Sequence, residues 1–151
     1  GPSQESVIRE ALSSAGILPN QVSYVECHGT GTSLGDPIEV ISLGNVLAEG
    51  RPTDKPVLIG SLKTNIGHTE AAAGIAGVIK TVLSLRANQI PPSLNFDEPN
   101  PHIPWNKLPI QVSSKTQSWP SGERIAGISS FGISGTNAHL IISDPPEKPN
   151  E

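Results

Sequence analysis

Gly60-Ser61-Leu62-Lys63-Thr64-Asn65-Ile66-Gly67-His68 runs directly into Thr69-Glu70-Ala71-Ala72-Ala73-Gly74-Ile75-Ala76-Gly77-Val78-Ile79. The apolar run from Val57 to Ser61 reads as a short buried strand. A turn carrying Asn65 and Gly67 then delivers His68 to the mouth of a helix. Apolar residues recur at Ile75, Val78, Ile79, Val82 and Leu83, the 3.6-residue period of a helix face. The N-terminal half of this helix is almost all small residues. Each glycine costs a helix about 1 kcal/mol relative to alanine, so Gly74 and Gly77 need a reason. Close approach of another backbone is the expected one. The stretch therefore predicts a central helix, buried all round, that aims a histidine at a site.

Working towards the N-terminus, Arg51 to Pro56 is a polar loop into that strand. Before it, Ile38, Val40, Ile41, Leu43, Val46 and Leu47 clothe a helix that Asp36 and Pro37 start, as cap and first-turn proline, and Gly50 ends. Gln21 to Glu26 alternates polar and apolar residues and predicts a strand. His28-Gly29-Thr30-Gly31-Thr32 follows at its end. Val7, Ile8, Ala11 and Leu12 give an earlier helix one apolar face, from an N-cap at Ser3 to Gly16.

Working towards the C-terminus, Asn88 and Gln89 stop the central helix. Pro91, Pro92, Pro99, Pro101, Pro104 and Pro109 then favour an extended wrap over any regular element. Ile110 to Ser113 predicts a short edge strand, and Trp119-Pro120-Ser121-Gly122 a turn. Ile125–Ser130 and Ala138–Ser143 predict paired strands around Phe131-Gly132-Ile133-Ser134-Gly135-Thr136-Asn137. Residues 144–151, acidic and proline-rich, read as a linker after a unit spanning 1–143. Strands alternating with helices imply an α/β fold with a partly parallel sheet covered by helices. Site residues in such folds collect beyond the strand C-termini. His28, His68 and the Phe131–Asn137 loop all fall there.

The totals bound what such a site serves. The 151 residues suit one domain, and with 35% hydrophobic and 3% aromatic residues the core must come from Ile, Val, Leu and Ala. A net charge of −4 without a basic run argues against nucleic acid or an acidic membrane as partner. One cysteine, Cys27, cannot form an internal disulfide, which fits a reducing cytoplasmic setting. No stretch has transmembrane length and no signal peptide is evident, so a soluble protein is expected.

Two histidines flanked by glycine can be general bases, hydrogen-bond donors or metal ligands, or buried rings bonded to backbone. No third ligand with convincing spacing supports a metal, because Asp36 and Glu70 are explained as helix-start residues. For His68, a nearby helix N-terminus disfavours imidazolium, and a neutral ring can donate to a developing oxyanion. Cys27 beside His28 invites a nucleophile–base pair. Adjacent strand residues point to opposite faces, however, so Cys27 is expected in the packing while His28 faces the site. His102 and His139 read as structural or solvated. The glycine loops match neither a P-loop nor a dinucleotide fingerprint.

Val25-Glu26-Cys27-His28-Gly29-Thr30-Gly31-Thr32, with Gly35-Asp36-Pro37-Ile38-Glu39, resembles the first histidine motif of the beta-ketoacyl synthase family. Gly60 to His68 resembles its lysine and second-histidine motif. Ser129-Ser130-Phe131-Gly132-Ile133-Ser134-Gly135-Thr136-Asn137-Ala138-His139 resembles its C-terminal glycine loop. Asn100-Pro101-His102-Ile103 is similar to ketosynthases of modular type I polyketide synthases.

The resemblance implies the C-terminal half of a thiolase-like fold. It further implies decarboxylative condensation of an acyl thioester with a malonyl unit carried on the phosphopantetheine of an acyl carrier protein. No directly bound cofactor and no metal are implied. His28 and His68 would hydrogen-bond the malonyl thioester as it becomes an enolate, with Lys63 as a buried cation ordering that centre. Thr30 and Thr32 would contact the phosphopantetheine arm. Asn65, Phe131, Gly132 and Ile133 would line the substrate side, Ile133 through its amide in the oxyanion hole and Phe131 at the gate.

The family's nucleophilic cysteine lies in an earlier, serine-rich elbow that nothing here matches. Cys27 stands where the family commonly has alanine. The implied partners are therefore the cysteine-bearing N-terminal half, the carrier protein and, for the complete domain, a second copy. Alone, the chain is expected to be inactive and to expose an apolar patch. The alternative is a non-catalytic fragment that serves as a structural or carrier-docking module.

Overall fold

A computed structural model describes residues 1–146 of the chain. Part of the expected linker, residues 147–151, lies outside the described residues.

Helix α1 (Pro2–Ala15) buries Ile8 and Leu12, the face expected from the sequence, and closes on Gly16 in the left-handed conformation. Its N-cap is Gly1 with Pro2 in the first turn, not Ser3. The Ser3 hydroxyl instead accepts the side-chain amide of Asn137 at 3.3 Å. Strand β1 is confined to Tyr24–Glu26, because Pro19–Gln21 turns as a 3-10 helix before it. Helix α2 (Gly35–Leu47) has Leu34, not Asp36, at its cap, and strand β2 is Val57–Gly60. Thr32 accepts the Gly35 amide and Asp36 reaches back to the Gly31 amide, so both side chains serve the preceding loop.

A short helix α3 (Lys63–Ile66) and a 3-10 turn (Glu70–Ala72) separate β2 from helix α4 (Ala73–Ala87). Asn88, at a φ of 52°, ends α4 where the sequence pattern stops. The proline-rich wrap follows. It is bracketed by β3 (Gln89–Ile90) and β5 (Gln117–Ser118), a small antiparallel pair the sequence did not suggest. Strand β4 (Ile110–Val112), then β6 (Ile125–Phe131) and β7 (Asn137–Ser143), complete the main sheet.

That sheet has the order β4-β2-β1-β6-β7. Strands β4, β2, β1 and β6 are parallel, and β7 returns antiparallel to β6. The expected edge strand and hairpin are thus present. Val25, Val57, Ile59 and Ile125 pack with Ile8, Leu12, Val40, Leu43 and Leu47 on the α1/α2 face. Tyr24, Leu58 and Ala126 pack with Leu85, Ile90 and Trp119 on the other. Both faces of β1 are covered, which explains why its three residues are all buried.

Helix α4 departs from expectation. It buries Gly77, Thr81, Ser84 and Leu85, while Ile75 is 59%, Ile79 55%, Val82 41% and Leu83 54% exposed. The helix is therefore not buried all round. Its periodic apolar face looks away from the sheet, and the small-residue side packs inward. This is the exposed apolar patch expected of the chain alone. The two glycines also have a different reason from a backbone approach. A Cβ at Gly74 would lie 3.2 Å from Ser130 Oγ, and one at Gly77 3.2 Å from Glu26 Cγ. Side chains of the sheet, not another backbone, claim that space.

Candidate active site

Because β1, β2 and β6 are adjacent and parallel, the loops leaving their C-terminal ends open on one edge of the sheet. Those loops carry His28, Lys63 with His68, and the Phe131–Asn137 turn. The expected convergence is present.

The first loop is fixed by a carboxylate. Glu39, 4% exposed on α2, accepts the amides of His28 at 2.7 Å and Gly29 at 2.9 Å. Gly29 has a φ of 50°, and a Cβ there would stand 2.8 Å from Ser61 Cβ. Only glycine lets this loop lie against the end of β2. Burial raises the Glu39 carboxyl to about 7, against the pull of its two amide donors. Thr30 and Thr32 lie exposed on the outer rim, the latter partly engaged by the Gly35 amide.

In the second loop, Glu26 accepts the amide of Leu62, just ahead of α3, and so sets the start of the turn that carries Lys63. Lys63 is half-buried. Burial lowers its ammonium, opposed by the carboxylates of Glu26 and Glu39. Among the described residues no carboxylate stands within ion-pair distance of it. Gly67 then turns the chain at a φ of 75°, and His68 Nδ1 accepts the amide of Glu70 at 2.9 Å. Helix α4 begins only at Ala73, so this bond, rather than a helix N-terminus, orients the ring. Glu70 belongs to the intervening 3-10 turn at a φ of 52°. Asn65 is exposed, and its side-chain oxygen accepts the Thr64 hydroxyl.

In the third loop, the amide of Phe131 donates to His28 Nδ1 at 3.4 Å. The rings of His28 and Phe131 lie 5.7 Å apart, those of His28 and His68 5.4 Å apart at 83°. Each histidine thus uses Nδ1 as an acceptor from backbone, which leaves Nε2–H as its donor. Burial, with Lys63 and then His68, lowers His28 to about 4, so the ring is neutral near pH 7. Gly132 and Gly135 shape the tip, where Gly135 donates to Gly132, and Ile133 stands fully exposed.

Cys27 is 6% exposed within the α1/α2 core. Burial first, then Glu39 and Glu26, pushes its thiol well above the usual range. It faces the packing, as strand alternation predicts. His102 is exposed, and His139 bonds Ser129 Oγ at 2.9 Å. Among the described residues no group of three or more His, Cys, Asp or Glu is arranged to hold a metal ion. None of their helices is long and apolar enough to cross a membrane. Glu26 and Glu39 are the site residues that reasoning on chemistry passed over. Both stand inside the quoted motifs, and a carboxylate in an otherwise apolar buried stretch was the available signal.

Residues 1–97 match the family described as Beta-ketoacyl synthase, C-terminal domain, and residues 99–151 match Ketoacyl-synthetase C-terminal extension. The chain belongs to the beta-ketoacyl synthase family. It is 56% identical over 149 residues to Erythronolide synthase EryA3 of Saccharopolyspora erythraea, covering 97% of this chain and 5% of that protein. It is also 50% identical over 153 residues to the spectinabilin polyketide synthase system protein NorA' of Streptomyces orinoci, covering 100% and 4%. Among solved structures, the ketosynthase from module 6 of the bacillaene synthase of Bacillus subtilis superposes with a TM-score of 0.90. The identity is 43%, over 97% of this chain and 27% of that one. Ketosynthase twelve of the bacillaene polyketide synthase of Bacillus amyloliquefaciens gives 0.87 at 43% identity, covering 94% and 26%. This ketosynthase portion therefore has the thiolase-like fold of those domains and spans about a quarter of their length.

Proposed function

We propose that this chain supplies the decarboxylation half of a polyketide ketosynthase site. The observation that carries the reading is the pair of imidazoles 5.4 Å apart, each with Nδ1 bonded to a backbone amide. Two Nε2–H donors on neighbouring rings suit a thioester carbonyl oxygen that gains charge. A malonyl thioester on the phosphopantetheine of an acyl carrier protein loses carbon dioxide. The electron pair of the broken bond becomes an enolate, and its oxygen takes the hydrogen bonds of His28 and His68. The enolate carbon attacks an acyl group held on a cysteine elsewhere in the complete domain, and that thiolate leaves as the carbon–carbon bond forms. The half-buried Lys63 ammonium adds positive potential beside His28. Thr30, Thr32 and Asn65 lie on the exposed rim, where a phosphopantetheine arm would enter. Phe131 packs on His28 as a gate, and the Ile133 amide completes an oxyanion hole.

Cys27 is not the nucleophile, so the isolated chain neither takes up an acyl group nor condenses one. The partners are the cysteine-bearing remainder of the domain, the carrier protein, and a second copy of the complete domain. The setting is cytoplasmic.

The test uses a complete ketosynthase that carries this chain. Removing one oxyanion donor costs about 10²–10³-fold in rate. His68→Ala is expected to lower carbon dioxide release from malonyl carrier protein by that order, while self-acylation of the cysteine continues. Loss of acylation with carbon dioxide release intact would overturn the assignment.

A further inference from the structure

The Glu26 carboxylate faces two ways. Oε1 accepts the Leu62 amide, while Oε2 accepts the Tyr24 hydroxyl at 2.8 Å and pairs with the Lys80 ammonium. Lys80 also reaches the Tyr24 hydroxyl and lies 4.7 Å from the centre of that ring. Trp119 packs edge-on against the same ring at 5.9 Å. The cluster is interior: Tyr24 is wholly buried, Glu26 is 3% exposed, and the Lys80 side chain is 15% exposed. Two glycines make room for it. A Cβ at Gly77, three residues before Lys80, would crowd Glu26 Cγ at 3.2 Å. One at Gly60 would lie 3.0 Å from Tyr24 Oη.

A buried ion pair is a poor general source of stability, because desolvation offsets most of its attraction. Apolar residues of the same volume would fill this space at least as well. They could not supply a fixed acceptor for the Leu62 amide. That amide caps a turn, where a backbone donor has no partner within the helix. The amides of Thr64, Asn65 and Ile66 find acceptors at Ser61 and Leu62, while among the described residues Glu26 alone accepts the Leu62 amide. Lys63 is the next residue. The tie therefore runs from α4 through Glu26 to the backbone that bears the site's ammonium.

The geometry points to Lys80 and Glu26 as positioning residues for decarboxylation. Lys80 holds the Glu26 carboxylate in place, and Glu26 fixes the turn that sets Lys63 beside His28. This rests on the reading of the site given above. Neither residue touches the substrate, and the effect is on where Lys63 stands.

The experiment uses the complete ketosynthase, with active sites counted by acylation of its cysteine. Lys80→Met keeps the length of the side chain and removes the charge. Its kcat for carbon dioxide release per counted site is expected to fall about ten- to a hundredfold, the cost of a small misplacement of a reacting group. KM for malonyl carrier protein should stay close to that of the parent, and Lys80→Arg should restore most of the rate. A lower Tm with unchanged kcat per counted site would make the cluster merely structural and overturn the proposal. Should Lys80→Met fail to fold, Tyr24→Phe decides: it keeps the ion pair and removes one donor to Oε2. A smaller fall in kcat at unchanged KM supports the proposal, and an unchanged kcat overturns it. His68→Ala run alongside separates the two readings. If it leaves carbon dioxide release intact, the site assignment has failed. If it lowers release while Lys80→Met and Tyr24→Phe do not, only the positioning role has failed.

Discussion

Glu39 accepts the backbone amide of His28 at 2.7 Å, so a carboxylate on α2 holds the first histidine where β1 ends. The same group takes the Gly29 amide with its other oxygen. Glu39→Gln would turn an NH₂ towards one of these donors and leave it unsatisfied in a buried place. A loss of about 1–3 kcal/mol is expected, read from urea denaturation. The pH dependence changes too. The folded Glu39 carboxyl lies near 7, above its ordinary 4.5. Its contribution is therefore fully present below about 4.5 and lost as pH rises through 7. The Gln variant should lack that decline, and an unchanged profile would show that Glu39 is not the group responsible.

His139 contributes with the opposite sign. Burial lowers it from 6.5 to about 4, and Ser129 Oγ bonds its Nδ1. Its contribution is present above about 6.5 and lost as pH falls through 4, because the unfolded chain then binds the extra proton. His139→Gln should make the stability of the chain fall less steeply between these limits. Denaturation midpoints across that range check it, and an equally steep fall would count against the assignment.

The outward face of α4 governs the behaviour of the chain by itself. Ile75, Ile79, Val82 and Leu83 form one exposed apolar stripe. The isolated chain is expected to self-associate and to bind a hydrophobic dye. Replacing Ile75 and Ile79 by Lys should abolish dye binding and shift stability by no more than about 0.5 kcal/mol, as for other surface changes. A large loss of stability would mean that these residues pack inward in solution.

Much of this was legible in the sequence, for physical reasons that also set its limits. Alternation and short apolar runs placed β2, β4, β6 and β7, and strand ends carrying glycine and histidine pointed to the candidate site. Periodicity, however, marks an apolar face without saying what covers it. That is why α4 was expected to be buried all round when Ile75 and Ile79 are exposed. Asp36 shows a second limit. A cap-forming residue can serve the preceding loop instead, and Leu34 then caps the helix. The Glu26–Lys80 pair spans 54 residues and leaves no local pattern. Only the glycines that make room for it, Gly60 and Gly77, were visible. The β3–β5 pair was hidden because two residues on each side are too few to alternate.

Thr30 is exposed at the rim and takes no part in holding His28. Thr30→Ala in the complete ketosynthase should raise KM for malonyl carrier protein and leave kcat largely unchanged, the mark of lost uniform binding. Steady-state carbon dioxide release measures both. A fall in kcat at constant KM would place Thr30 in the chemistry instead.

The central claim is that His28 and His68 both present Nε2–H to the substrate oxygen. Histidine ¹⁵N chemical shifts and long-range couplings report the tautomer of each ring, and single His→Gln variants assign the signals. In the complete ketosynthase each neutral ring should show Nδ1 unprotonated and Nε2 protonated. Either ring found as the Nδ1–H tautomer, or His28 found as imidazolium at pH 7, would contradict the account.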